Sequence, residues 1–437
     1  MRPRKLPETP MSRRSLLIGL GSAVVAAGAA GTMSSGAGMW VTDRGAPSSS
    51  PAAQPRLLNL PRIEWEGGPS YWSNFSKAAS AGWTDPSFFP LAVFYGRPAH
   101  VEQLKSVGIN TFQGVEHNAV LDEVTSKGTF CIVQAEFSAG DIGDNPLVVG
   151  LFVNDECDIG LGCAGSNTND NLVDMQRQVS DLRSRNDGRF LNANYSKGVL
   201  DSFWAQNNMN AFMGLVDVAS TDNYAYTSPD IGSVIFNSPH WPHGVSTARS
   251  ATYGWLVDRM RSYQGAPGDK PNWMLVETAM PFLGESGART ISPEEIEGAC
   301  WSAIIHEARG IVFFQHNNDG LNGGYSLVEC SDARKELIRA SNSKITSLAP
   351  VINTQSYSWK FAQNIDTMLK TYQGSAYIFS EISLGTEPGP RLFTLPPGIS
   401  GTTVEVVGEN RVLSVEAGKF SDDFDFEFTH HIYRVAI

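Results

Sequence analysis

The feature that limits the possible folds most strongly is a series of eight short apolar segments between residues 89 and 315. Polar loops and helix-like stretches separate these segments. Several of these segments are continuously apolar, which is typical of parallel strands that are covered on both faces. They span residues 89–95, 110–115, 130–137, 148–154, 190–194, 216–224, 273–277 and 311–315. Strand and helix alternating eight times in this way predict a (β/α)8 TIM barrel.

Helix-like stretches lie between or after these segments, at residues 100–107, 171–185, 248–263, 293–308 and 331–347. The fourth begins with Ser292-Pro293-Glu294-Glu295, a capping box with proline at the first helical position. From about residue 351 the pattern changes to short strands separated by Gly and Pro turns, at residues 376–382, 391–395, 402–407, 412–415 and 431–435. This pattern predicts a small antiparallel β-sandwich domain after the barrel.

The N-terminus carries an export pattern. Ser12-Arg13-Arg14-Ser15-Leu16-Leu17 leads into a Gly/Ala-rich apolar run over residues 16–30, which resembles the twin-arginine signal of bacterial export. A Sec signal or a retained membrane anchor is the alternative, although the run is short and weakly hydrophobic for a membrane span. We expect a signal peptide over 1–34, a flexible Ser/Gly/Ala/Pro linker over 35–60, the barrel over 61–350 and the β-domain over 351–437.

The chain is acidic, with a formal net charge of −12. Such a chain repels phosphate backbones and anionic membranes, so we expect no nucleic acid partner, no membrane contact after signal cleavage and a neutral substrate. No GxGxxG lies between a strand and a helix, and no GxSxG follows a strand, which disfavours nucleotide-dependent enzymes and serine hydrolases. We expect a secreted monomer without a cofactor, with cell-surface association as the alternative.

Five cysteines leave at least one thiol unpaired. Cys157 and Cys163 would close a short loop and are the preferred disulfide pair, while Cys131 lies inside an apolar segment as a buried thiol. The chain has no paired CxxC spacing, and His240 and His243 lack further ligands nearby in sequence, so we expect no metal site.

Two of the apolar segments end in a glutamate. The fourth ends Asn154-Asp155-Glu156, and the seventh ends at Glu277. Reacting groups of TIM barrels come from the carboxyl ends of the strands, and strands four and seven face each other across the barrel mouth. Retaining glycoside hydrolysis needs one protonated and one ionised carboxyl about 5 to 5.5 Å apart. We therefore expect Glu156 and Glu277 on opposite sides of one open pocket.

This layout resembles the clan A glycoside hydrolases, the 4/7 superfamily of cellulase-like barrels that often carry a C-terminal β-domain. The resemblance covers residues 61–437 and implies a retaining glycosidase that acts on an extracellular polysaccharide or oligosaccharide. It implies that Glu156 is the acid/base and Glu277 the nucleophile. Clan members usually have asparagine directly before the acid/base, whereas here Asp155 intervenes and Asn154 is one position further back.

Other polar and aromatic residues at predicted strand ends and in loops suit sugar hydroxyls and rings. As candidate substrate-binding residues we name Glu116, His117, Glu136, Asn154, Asn194, Tyr224, Trp241, Gln315 and His316. Tyr224 and Tyr226 are both candidates for the tyrosine that clan members keep against the nucleophile, and Trp241 could instead anchor its own loop. A non-catalytic carbohydrate-binding protein on the same scaffold and an inverting glycosidase, with carboxyls about 6.5 to 9.5 Å apart, remain as alternatives.

Overall fold

The computed structural model describes residues 59–64, 68–201, 208–264, 270–282, 284–319 and 323–437. The predicted signal peptide and all but the last two residues of the predicted linker therefore lie outside the described residues. Within the described ranges, no helix is both long enough and apolar enough to cross a membrane.

Eight parallel strands form a closed barrel in which each strand pairs with the next and β8 pairs with β1. The predicted TIM barrel is confirmed. The strands are β1 Leu91–Gly96, β2 Thr111–Val115, β3 Phe130–Gln134, β4 Val148–Asp155, β5 Phe190–Tyr195, β6 Val218–Thr221, β7 Asn272–Glu277 and β8 Ile311–Phe314. Strand β6 is shorter than its apolar run, since Asp222 and the residues after it leave the sheet.

Helices surround the barrel, and all five helix-like stretches of the sequence correspond to helices. The helices are α1 Ser76–Ser80, α2 Val101–Ser106, α3 Asp122–Thr125, α4 Ala139–Ile142, α5 Thr168–Arg183, α6 Met209–Leu215, α7 Pro229–Phe236, α8 Ala251–Ser262, α9 Pro293–Ile305 and α10 Asp332–Ile352. The capping box at the start of α9 is confirmed, because Ser292 and Glu295 exchange side-chain to backbone hydrogen bonds.

Aromatic side chains fill the amino end of the barrel. Trp83, from the segment that precedes β1, packs 5.6 Å from Phe130, 5.5 Å from Phe190 and 6.2 Å from Trp273, measured between ring centroids. Trp72 packs edge-on against Trp83 at 4.8 Å. These partners lie at the start of β3, β5 and β7, so this aromatic group closes the amino end of the barrel.

The antiparallel C-terminal domain consists of two sheets. Five strands are in the order β13-β12-β15-β10-β9, and β11 pairs with β14. The strands are β9 Ile365–Tyr372, β10 Ser375–Ile382, β11 Gly389–Thr394, β12 Thr403–Val406, β13 Arg411–Ser414, β14 Lys419–Phe424 and β15 His430–Ala436. Both sheets contribute to one apolar core, in which the rings of Phe393 and Phe420 stack at 4.8 Å. The sequence analysis missed β9 and β14, since both mix charged with apolar residues.

The C-terminal domain packs on the helix layer of the barrel, chiefly on α9. The indole of Trp301 stacks on Phe379 at 5.9 Å and on His430 at 5.6 Å. Met368 and Ile432 are fully buried and belong to the same apolar cluster as the barrel helices. The β-domain is thus joined to the barrel by a continuous core.

Cys157 and Cys163 form a disulfide with their α-carbons 5.1 Å apart, as the sequence predicts. The bond closes the loop directly after Glu156. Cys131 is confirmed as a buried free thiol, and Cys300 and Cys330 are also free and buried.

We expect alkylation of the unfolded, non-reduced protein to add three groups per chain, because only three thiols are free, and mass spectrometry checks this count. Replacing Cys163 by Ser should lower the free energy of unfolding by about 2 kcal/mol, since a short loop is no longer closed. A reductant should lower the stability of the wild type but not of the variant. Reaction of five thiols without reductant would contradict the pairing.

Candidate active site

A chain of polar side chains crosses the interior at the carboxyl end of the barrel. The Gln113 amide donates to Asn192 Oδ1 at 2.6 Å and to Ser220 Oγ at 3.0 Å. Ser220 donates to Asn194 Oδ1 at 3.0 Å, and the Asn194 amide donates to Asp155 Oδ1 at 2.9 Å. Because these groups are buried, their mutual hydrogen bonds are required for stability. These side chains form a fixed polar layer, here called the polar floor, which ends at the carboxyl group of Asp155.

Glu156 lies in the turn that ends β4. Its φ of 51° is left-handed, and its backbone N–H donates to the Asn194 carbonyl oxygen at 2.9 Å. This turn places the Glu156 carboxyl near Ser196, Lys197 and Asp222. Asp222 follows β6 directly, so two regions of the rim on either side of β5 contribute carboxyl groups to one cluster. Glu156 is 6% exposed, whereas Asp155 and Asp222 are half-buried.

Burial and mutual repulsion keep protons on this cluster. Burial raises the pKa of Glu156, whereas Ser196, the Lys197 charge and Asp222 each lower it. Burial and then the Glu156 charge raise the pKa of Asp155 to about 8 and that of Asp222 well above its usual value. Contacting carboxyls cannot all ionise near neutral pH. The cluster therefore retains protons at neutral pH.

Glu277 ends β7 in a different environment. Tyr253 donates its hydroxyl to Glu277 Oε2 at 2.6 Å, and Thr227 donates to Oε1 at 3.3 Å. Burial raises the pKa of Glu277 to about 7, while both hydroxyl donors favour the ionised form. Glu277 is 0% exposed, whereas we expected it to line an open pocket. The ring of Tyr226 stacks on Tyr253 at 5.7 Å and supports this arrangement.

Tyr224 lies within the electrostatic reach of both glutamates. Burial and the charges of Asp222, Glu156, Asp155 and Glu277 together raise the pKa of Tyr224 well above its usual value. Its hydroxyl donates to Asp222 Oδ2 at 3.4 Å. It does not contact the Glu277 carboxylate by a hydrogen bond, because that position is taken by Tyr253 on α8, and Tyr226 donates to Glu427 instead.

Several of the predicted rim residues meet on the β1, β2, β3 and β8 side of the mouth. Glu116 accepts hydrogen bonds from Arg97 Nε at 2.9 Å and from the Tyr325 hydroxyl. The rings of His316 and Tyr325 lie 5.4 Å apart. The exposed side chains of His117 and Glu136 pair at 2.7 Å.

Gln315 follows the end of β8 and directly precedes His316 in the sequence. Its side chain is completely buried, and neither its Oε1 nor its Nε2 makes a hydrogen bond to the described protein atoms. An unpaired buried amide is costly, since it loses its hydration without a replacement partner. Among the predicted rim residues in the described part of the chain, Gln315 is the one for which both polar side-chain atoms lack a hydrogen bond, whereas Asn154 lacks one at Oδ1.

Two predicted residues lie away from this group. The Asn154 amide donates to Gln178 Oε1 on α5 at 3.3 Å, because the register shifts between Phe152 and Asp155 and Asn154 faces the helix layer. Trp241 is 4% exposed, and its Nε1 donates to the Val245 carbonyl at 3.1 Å. Its ring packs edge-on against Trp255 at 4.9 Å, so it anchors its own loop.

The sequence analysis missed four residues of this region: Asp222, Tyr253, Arg97 and Tyr325. Asp222 could have been found, because it follows a strand just as Asp155 and Glu156 do, but the apolar run was extended past it to Tyr224. Tyr253 begins a helix far along the chain from β7, and no local pattern connects it with Glu277.

Neither a protein-family model nor a curated protein matches this sequence. Solved structures match in fold, among them a glycoside hydrolase family 5 protein from Bacteroides vulgatus, with TM-score 0.46, 10% identity and coverage of 80% of this chain and 89% of that chain. A family 30 subfamily 8 xylanase from Clostridium acetobutylicum has TM-score 0.42 and 10% identity, with coverage of 80% and 96%. A family 51 α-L-arabinofuranosidase from Bifidobacterium longum has TM-score 0.43 and 10% identity, with the same coverage. At this identity, the likeness concerns only the arrangement of strands and helices.

Replacing Glu277 by Gln should stabilise the protein at high pH. Burial raises the Glu277 pKa from 4.5 to about 7, so the stability it contributes is present below about pH 4.5 and lost as the pH rises through about 7. Gln carries no charge, so the variant should gain up to about 3 kcal/mol over the wild type at pH 8 and little at pH 5. Urea unfolding at both pH values measures this difference.

Glu116→Gln serves as the control, because this half-buried carboxylate is paired with Arg97 and its loss should give no gain at pH 8. An equal effect of Glu277→Gln at pH 5 and pH 8 would show that Glu277 is not held in an environment that disfavours its charge.

Proposed function

We propose that this protein is an exported, retaining glycoside hydrolase that acts on an extracellular polysaccharide or oligosaccharide. The observation that carries the proposal is the contrast between two glutamates at the ends of β4 and β7. Glu156 lies in a carboxyl cluster that retains protons, whereas Glu277 stands apart with two hydroxyl donors. Retaining hydrolysis needs one protonated and one ionised carboxyl, and the two hydroxyl donors of Glu277 favour its ionised form against the burial that raises its pKa to about 7.

Glu156 acts as the general acid in this mechanism. Its buried carboxyl donates a proton to the glycosidic oxygen as the bond to the leaving group breaks. Burial and the Glu156 charge raise the pKa of the neighbouring Asp222 well above its usual value, so Asp222 holds a proton beside Glu156. In the second step, the deprotonated Glu156 accepts a proton from the attacking water.

Glu277 acts as the nucleophile. Its ionised oxygen attacks the anomeric carbon and forms a glycosyl-enzyme, which water then hydrolyses with overall retention. Tyr253 holds the carboxylate in place and lowers the cost of its charge. Since Glu277 has no exposed surface in the structure, this role requires that substrate binding opens a path to it.

The mouth of the barrel offers groups for sugar hydroxyls and rings. Glu116, His117, Glu136 and His316 provide donors and acceptors around it, while Asn194 and Gln315 are buried. The ring of Tyr224 lies within electrostatic reach of both glutamates. Carbohydrate sites combine such polar groups with aromatic faces.

The complete burial of Glu277 favours one second candidate, a non-catalytic carbohydrate-binding protein that uses the same mouth. Such a protein would bind a polysaccharide without turning it over, and the Glu277→Gln and Glu156→Ala variants would bind as the wild type does. To separate the two functions, the purified, signal-free protein is screened against polysaccharides and aryl glycosides. Both binding and the release of sugar are measured.

Glu277→Gln should lower kcat at least about a thousandfold while leaving substrate binding largely intact, because the covalent route is lost. Glu156→Ala should accumulate a glycosyl-enzyme on an aryl glycoside, since a good leaving group needs no protonation. Azide should restore its turnover, because an anionic nucleophile needs no general base.

A mechanism-based fluoroglycoside and peptide mass spectrometry identify the residue that becomes glycosylated, and NMR of the first product gives its anomeric configuration. Labelling of a residue other than Glu277, or inversion at the anomeric carbon, would contradict the assigned roles. Asn154→Ala is a control for general perturbation at the end of β4, since its side chain faces α5.

Tyr253→Phe should shift the acidic limb of the kcat/KM profile to higher pH. The Tyr253 hydroxyl donates to the Glu277 carboxylate and so lowers its pKa, and removal of this donor leaves burial to raise it further. Tyr195→Phe is the matched control, because this equally buried hydroxyl donates to the Phe212 carbonyl and should leave the profile unchanged. An unshifted limb in Tyr253→Phe would remove Glu277 from the titration that controls activity.

A further inference from the structure

A cluster of one histidine and two carboxylates lies where the β-domain meets the barrel helices. His306 directly follows α9, Asp366 lies on β9 and Glu381 lies on β10. Asp366 and Glu381 pair directly across the two antiparallel strands, so both side chains share one face. Like charges directly opposite each other destabilise a sheet. A cation between the two carboxylates would therefore stabilise the pair.

The imidazole of His306 is oriented toward this pair. Its Nδ1 bonds with Asp258 Oδ2 on α8 at 2.8 Å. Its buried Nε2 makes no hydrogen bond, and it lies 3.4 Å from Glu381 Oε1 and 3.6 Å from Asp366 Oδ2. These separations exceed ordinary N–H···O distances of about 2.7–3.2 Å. A histidine fixed through one nitrogen by a carboxylate, with the other nitrogen facing further ligands, is the usual arrangement of a metal-binding histidine.

The separations match those between neighbouring ligand atoms of a bound transition metal. His306 Nε2, Asp366 Oδ2 and Glu381 Oε1 all lie within 4.8 Å of one another. Ligand bonds of about 2.0–2.2 Å at tetrahedral angles place neighbouring ligand atoms about 3.3 Å apart. The two distances to Nε2 are close to this value, so small side-chain shifts would complete the coordination.

Neighbouring groups hold the carboxylates in this orientation. Ser302 donates to Glu381 Oε1 at 2.8 Å, and Ser383 donates to Asp366 Oδ1 at 2.8 Å, which leaves Oδ2 directed to His306. Gly254 on α8 gives the imidazole its room, because a β-carbon there would lie 2.3 Å from His306 Cδ2.

We propose that His306, Asp366 and Glu381 bind a divalent transition-metal ion of the Zn²⁺ type, which fastens the β-domain to the barrel. Imidazole and carboxylate ligands suit such ions, and a water would complete a tetrahedral site. The site is distinct from the Glu156 and Glu277 region, and its role is structural. Asp258 acts on the metal through the imidazole as a positioning residue.

Metal binding is tested on the tag-free, signal-free protein. After removal of metals by a chelator, titration calorimetry with ZnCl₂ should find about one saturable site per chain. Glu381→Gln and Asp366→Asn should weaken it by more than about a hundredfold, and Asp258→Asn by about 10–100-fold. Co²⁺ in place of Zn²⁺ should give the visible absorption of a four-coordinate site in the wild type but not in Glu381→Gln or Asp366→Asn.

Thermal unfolding gives a second readout. Zn²⁺ at about 100 times its dissociation constant should raise the Tm of the wild type by on the order of 5 °C, and that of Glu381→Gln hardly at all. Glu409→Gln is the matched control. Glu409 also pairs with a β-domain histidine, His431, but the Nε2 of that histidine bonds with the Asp423 carbonyl oxygen at 2.9 Å. This variant should bind Zn²⁺ as the wild type does.

Absence of saturable binding in the folded wild type, or equal binding by the wild type and Glu381→Gln, would overturn the proposal. The cluster would then be an ion-pair group around a protonated His306. Hydrolytic activity is not part of either readout, so this result is independent of the proposed function.

Discussion

Closure of the eight-stranded sheet is the constraint on which the rest of the structure depends. A closed parallel barrel leaves no strand edge unpaired, and it brings the carboxyl ends of all eight strands to one mouth. Trp83 and Trp72 fill the amino end of the barrel. Side chains from distant parts of the chain, such as Gln113 and Asn192, then meet across the interior and build the floor of the candidate site.

Glu156 and Glu277 are both buried carboxyl groups, but different neighbours surround them. Around Glu156, neighbouring carboxyls disfavour one another's ionisation, and protons remain bound. Around Glu277, hydroxyl donors from Tyr253 and Thr227 offset part of the cost of its charge. This difference arises from packing, because both residues are glutamates that end an apolar strand. It is the physical basis for assigning them different roles.

The β-domain contributes to the support of Glu277. Glu427, which precedes β15, accepts a hydrogen bond from the Tyr226 hydroxyl at 2.6 Å and another from the Ser250 N–H at 2.9 Å. Tyr226 stacks on Tyr253, which in turn donates to Glu277. The His306 cluster lies at the same interface, which also includes the stacked ring of Trp301. The β-domain is therefore connected to Glu277 by a series of contacts that runs through the helix layer.

Local patterns in the sequence determined the barrel, the capping box of α9, the Cys157–Cys163 disulfide and the positions of Glu156 and Glu277 at strand ends. Each of these features depends on residues that are close together in the chain. Hydrophobic periodicity or a short spacing between two residues is therefore enough to predict it. Tertiary structure alone decided that Asn154 faces α5, that Trp241 anchors its own loop, and that Tyr253 rather than Tyr224 holds Glu277. A one-residue register shift or a contact between distant segments leaves no periodic trace, because it depends on which surfaces pack together after the barrel has closed.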